Sequence, residues 1–241
     1  MGRRRAIGIL LAGLLATAPG AAASARPSFV VTGWDAPSTT SFRAGWRTFE
    51  RTTAYAGTAI TVRLPFRTPG AAWNDPFAFA FARGRWQRRW FAAAAADLRA
   101  VRAQGSRLPR SSYLVVTANP GGIDPLDDAG WADVAQHLRI AGWLAHAGGL
   151  AGVILDLEAY TPPYAQLAPL ERSNRGRSWA VLTAAYRQRG AQAMRALSAD
   201  HPSIRILLYH LTGDLLAAPL DPTRGGPRMP ALVGSSLGLA P

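Results

Sequence analysis

The sequence predicts an α/β protein of the (β/α)8 barrel type, cut short after about five βα units. Three observations predict it. Strand-like apolar runs alternate strictly with helical segments from residue 28 to residue 209. The runs are apolar on both faces, as strands of a parallel sheet covered by helices must be. Polar residues recur at the C-terminal ends of those strands, where a barrel carries its chemistry.

The first strand is predicted over Ser28 to Thr32, followed by the turn Gly33-Trp34-Asp35-Ala36-Pro37 and a helix over about Phe42 to Thr53. That turn is neither G-x-G-x-x-G nor a P-loop, which argues against a nucleotide-binding doubly wound sheet. Thr58 to Leu64 is the second strand. A long insertion containing Trp73-Asn74-Asp75 then leads to a helix over about Arg85 to Gln104. In that helix Trp86 and Trp90 would share one side at i,i+4, with arginines on the others. Tyr113 to Ala118 is the third strand. The loop after it ends in Asp127 and Asp128, good N-caps for a helix from about Trp131 to Ala147, and Gly148-Gly149 stops that helix.

The fourth strand lies in the run Gly152 to Tyr160, GVILDLEAY, which carries Asp156 and Glu158 two residues apart. Alternation puts both carboxylates on one face, roughly 6–7 Å apart along the strand. Burial and mutual repulsion raise the pKa of at least one such acid, and this keeps a carboxyl group protonated as a general acid near neutrality. A polar, proline-bearing loop over 161–177 precedes a helix over about Ser178 to Ala199, and Ile204 to Tyr209 is the fifth strand. After Ala217 the chain turns proline- and glycine-rich. Residues 26–217 are therefore expected to form an incomplete barrel, and 218–241 an irregular tail.

Residues 1–25 are expected to lie outside the fold. Arg3, Arg4 and Arg5 precede an apolar stretch over Ala6 to Ala18, and Ala23-Ser24-Ala25 offers a small-residue cleavage site. This pattern predicts a signal peptide and a secreted or periplasmic bacterial protein with no stable membrane anchor after cleavage. There are no cysteines, so stability must come from the core alone. The net charge is +13, or +10 without the three leader arginines, and all 27 basic residues are arginine. Together with abundant alanine this reads as GC-rich coding bias. No nucleic-acid partner is expected, since arginines and aromatics do not line one element as such binders require.

The motifs Gly33-Trp34-Asp35-Ala36-Pro37, Asn119 with its acid-rich loop, and Gly149 to Tyr160 resemble a group of uncharacterised bacterial exported proteins. Those look like glycoside-hydrolase-type TIM barrels. The resemblance runs from Val30 to about Leu197. The fourth strand is also similar to chitinase-like glycosidases, whose motif is D-G-x-D-x-D-x-E with the final Glu as proton donor. Gly152, Asp156 and Glu158 fit that pattern; Ala151 and Ile154 stand where its first two acids would be.

Glycoside hydrolysis needs one carboxylic acid to protonate the leaving oxygen and a second group across the sugar. Glu158 is the expected acid, and Asp156 the group that holds its proton or orients substrate. Trp34, Asp35, Asn119, Tyr160, Tyr209 and His210 are the expected substrate-binding residues. A poly- or oligosaccharide is the expected substrate, with no cofactor and no metal. Two other readings remain at this point: a non-catalytic sugar-binding barrel, and a metal-dependent hydrolase using the D-x-E pair as ligands with Asp35 and His210. His137 reads as a satisfied or exposed helix residue, and Asp124, Asp127 and Asp128 lack calcium-loop spacing.

Overall fold

The structure, a computed structural model, describes residues 29–33, 35–118, 123–156 and 176–209, with the backbone alone for Trp179. The expected signal peptide, the Pro/Gly-rich tail and the loop after the fourth strand lie outside the described residues.

Five parallel strands form one curled sheet in the order of the chain. They are β1 (Val30–Val31), β2 (Gly57–Ile60), β3 (Tyr113–Thr117), β4 (Gly152–Asp156) and β5 (Arg205–Tyr209). Between them run α1 (Thr39–Thr52), α2 (Ala92–Ala103), α3 (Asp128–Gly148) and α4 (Trp179–Ser198). Short 3-10 turns occupy Pro76–Phe79, Arg88–Phe91 and Leu108–Ser111.

Burial separates the two faces of the sheet. Ile60, Leu114, Val116, Val153 and Leu155 pack with Phe42 and Trp46 of α1, Leu98 and Val101 of α2, Leu138 and Leu144 of α3, and Leu197 of α4. The alternate positions, Ala59, Tyr113 and Ile154, form a second cluster with Val30, Val115 and Tyr209. The four helices of the described residues thus cover one face. A doubly wound sheet reverses its strand order and takes helices on both faces; the described residues do neither.

The helix starts follow from their caps. Ser38, Asp127 and Ser178 each accept a hydrogen bond from an amide three residues on, satisfying donors that have no partner inside the helix. Gly149 ends α3 at φ 70°, a left-handed position that favours glycine. Helix α1 begins at Thr39, before the expected Phe42, because Ser38 caps it there. Where α3 crosses α4, a Cβ at Gly142 would lie 2.0 Å from the Leu197 carbonyl oxygen. Only glycine allows that approach.

The helix expected from Arg85 is shorter. It begins as a 3-10 turn at Arg88 and becomes α-helical at Ala92. The cause is α3. Gln136 accepts from the Trp86 amide and donates to the Trp86 carbonyl, and Asp133 accepts from the Gly84 amide. A backbone whose donors and acceptors are bound sideways cannot join a helical ladder. Trp86 and Trp90 therefore form no helical stripe. Trp86 is buried with its ring stacked 3.7 Å from that of His137, while Trp90 meets Phe66 edge-on. Of the nearby arginines, Arg83 pairs with Asp127, Arg85 with Asp133, and Arg88 lies over the Trp143 ring.

Candidate functional site

Strand register assembles the last row of side-chain positions at the C-terminal edge of the sheet. Thr117 on β3 stands opposite Asp156 on β4, and Asp156 opposite Tyr209 on β5. The Ala118 amide donates to the Asp156 carbonyl at 2.8 Å, extending the β3–β4 ladder to its end. Asp156 shares a face with Ile154, which packs in the helix-free cluster. Alternation therefore turns Asp156 to the side away from the helices. It is only 6% exposed.

Of the other expected site residues, Asp35 lies in the exposed turn after β1. Tyr209 ends β5 and packs against the Ile154 cluster. Trp34, Asn119, Glu158, Tyr160 and His210 lie outside the described residues. The described residues thus bring Asp156, Thr117 and Tyr209 into one row, with Asp35 at the same end of the sheet but three strands from Asp156.

Asp75 belongs to this end of the molecule too, and it was not among the expected site residues. Just past Ile60, the Thr61 amide donates to the Pro37 carbonyl on the β1 side. Three residues on, the Leu64 amide donates to the Asn74 carbonyl at 2.9 Å. Asp75 is the next residue. Ile60 stands opposite Leu114.

The turn Pro76–Phe79 that Asp75 opens packs against β3. Asp75 is 7% exposed. Burial pushes its carboxyl up from the ordinary 3.8 to about 6, against the opposing pull of the Arg63 guanidinium and, more weakly, of the nearby Ala78 and Phe77 amides. The signal available in the sequence was Asp75-Pro76, an acid before a proline, which marks a helical start. Trp73 beside it is exposed, its ring edge-on to Phe79.

Other buried polar groups belong to the scaffold. Both ring nitrogens of His137 face carbonyl oxygens, Ala80 at 2.9 Å and Gly84 at 2.7 Å. Burial nevertheless holds its pKa below the usual 6.5, with the two carbonyls and Asp133 pulling the other way. Arg189 on α4 donates to the Pro125 carbonyl, Gln192 and Asp128, tying α4 to the start of α3. Partial burial tends to raise the Asp124 carboxyl, but the Leu126 amide and then Arg177, one of whose guanidinium nitrogens donates to both carboxylate oxygens, hold it low.

Among the described residues no three His, Asp or Glu side chains converge on a point that suits a metal ion. A site built on the D-x-E pair would also need Glu158 and His210, which lie outside them. Nor does any helix among the described residues have the length and apolarity to cross a membrane. No protein-family model, curated protein or solved structure matches this chain.

Proposed function

We propose that this protein is an exported glycoside hydrolase of the TIM-barrel type, cleaving glycosidic bonds of a poly- or oligosaccharide by carboxylate acid/base chemistry. The observation that carries the reading is the position of Asp156. It is a buried acid on the face away from the described helices, at the C-terminal edge of a singly wound parallel sheet, the place where barrel enzymes of this architecture keep their reacting groups.

Glu158, two residues further, acts as the general acid. It gives its proton to the departing glycosidic oxygen as the bond to the anomeric carbon breaks. Asp156 keeps that proton in place, because a neighbouring negative charge disfavours ionisation of Glu158. Trp34, Asp35, Asn119, Tyr160, Tyr209 and His210 hold the sugar. Residues 1–25 direct the chain out of the cytoplasm.

The test is reducing-sugar release from a panel of glycans by the mature chain, with Glu158→Gln beside it. Protonation matters only when the departing oxygen is basic. The variant should therefore lose far more turnover on sugars with poor leaving groups than on aryl glycosides with good ones, by about 10²–10⁴-fold. Binding of a glycan without release would make the protein a sugar-binding barrel. Equal loss on both substrate types would remove the acid role from Glu158.

A further inference from the structure

Strand β5 differs from its neighbours. Every residue of β2 and β4 is buried, whereas Arg205, Leu207 and Leu208 of β5 are exposed, the two leucines at 38% and 39%. Among the described residues β5 pairs only with β4. We propose that a second copy of this chain covers that edge. The two β5 strands pair antiparallel about a two-fold axis at Leu207 and join two five-stranded sheets into one. The proposal does not depend on the hydrolase reading.

The backbone sets the register. The Arg205 amide donates to the Ala151 carbonyl, just before β4, at 3.0 Å. Hydrogen-bonding directions alternate along a strand, so Arg205, Leu207 and Tyr209 turn their backbone groups toward β4, and Ile206 and Leu208 turn theirs outward. An axis at Leu207 sets Ile206 opposite the partner's Leu208 and Leu208 opposite the partner's Ile206. Each pair exchanges both N–H···O bonds, about four in all. An axis at Ile206 or Leu208 would use only one of the two outward residues within the strand.

The side chains match in the same register. Ile206 packs against the helix-covered core, so Ile206 and Leu208 share that face and meet each other's counterparts across the axis. On the opposite face, where Tyr209 packs and Leu207 stands beside Ile154, Leu207 meets the partner's Leu207. Arg205 there meets the partner's Tyr209, a cation against an electron-rich ring. The two arginines stay about 14 Å apart, four residues along the strand. Hydrogen bonding, apolarity and charge are thus all self-complementary, as an isologous two-fold interface requires. The other edge strand, β1, has two residues and offers little to a head-to-tail contact. Five residues a side fall short of the roughly 1,200–2,000 Å² of a stable complex, so the dimer is reversible and grows with concentration. Antiparallel pairing points the two C-terminal sheet edges in opposite directions, which keeps each Asp156 clear of the partner's.

The experiment is sedimentation of the mature chain across the micromolar range, with three variants. The wild type should show a monomer–dimer equilibrium. Leu207→Lys puts like charges directly opposite each other and should weaken the dimer roughly tenfold or more; circular dichroism verifies its fold. The chain has no cysteine, so single cysteines report the register cleanly. The two Leu207 positions form a pair without mutual hydrogen bonds, with Cα atoms about 4.5 Å apart, within the span of a disulfide. Leu207→Cys should therefore oxidise to a covalent dimer, while Arg205→Cys, about 14 Å from its counterpart, should not. This comparison stands if the lysine variant does not fold. A monomer at every concentration overturns the proposal. So does a dimer that cross-links through residue 205 as readily as through 207, or association that continues past the dimer.

Discussion

Replacing Asp75 by asparagine should make the protein more stable, and by an amount that depends on pH. Burial moves this carboxyl from 3.8 to about 6, a little over two pH units. At about 1.36 kcal/mol per unit, holding the ionised acid in the fold costs about 3 kcal/mol at neutral pH. The sign follows from proton counts. Between 3.8 and 6 the native chain binds more protons than the unfolded chain, so stability falls as pH rises through that window and the deficit is complete above it. Asparagine keeps the shape of the side chain and a carbonyl oxygen but never ionises.

Denaturant unfolding of both proteins from pH 4 to pH 8 measures the difference directly. The variant should match the wild type near pH 4, gain steadily to about pH 6, and stay ahead by up to about 3 kcal/mol beyond it. Taking the difference cancels other titrating groups, His137 among them. A gap that does not change with pH, or a less stable variant at pH 7, would refute the reasoning.

Other expectations are as definite. Gly142→Ala should destabilise by about 1–3 kcal/mol or more, because its methyl meets the Leu197 backbone and α4 must move; a change near zero in urea unfolding would contradict that contact. His137→Leu should cost about 2 kcal/mol or more at pH 8, from the one carbonyl, Ala80 or Gly84, that the single N–H of the neutral ring serves, and from a lost stack on Trp86. Because burial depresses the His137 pKa, its own contribution is present above 6.5 and falls away as pH drops below it, so the variant should lose less stability on acidification than the wild type. Asp156→Asn should move the basic limb of the pH–rate profile to lower pH, since removing the neighbouring charge lets Glu158 ionise more easily. An unmoved limb would separate the two residues.

The elements closest to the site were those most legible in the sequence. Asp127, Gly148 and Gly149 bracket α3 by local chemistry, and the apolar run after Ala151 yields β4 directly. Residues 65–91 were not legible in this way. Their order comes from Asp133, Gln136 and His137, which lie on one face of a helix some fifty residues further along and take up the backbone of Gly84, Trp86 and Ala80. No local period records such bonds. Asp75 was passed over for the same reason. Its chemistry arises from being buried by a distant part of the chain, whereas Asp156 announced itself by sitting in an apolar strand.

The agreement between strand order and chain order bears on how the protein is made. Among the described residues, each strand pairs with the one synthesised just before it, and none must wait for a distant partner. Loop closure then spans only one helical crossover at a time, so a growing chain can add units to a structure already formed. Until the next unit arrives, every intermediate presents a parallel edge with open hydrogen-bonding groups, and such edges invite association with other chains. Mutations that slow docking of α4, whose Leu197 sits wholly within the core, should therefore show first as lower yield and aggregation during synthesis. The melting temperature of the molecules that do complete folding would change much less.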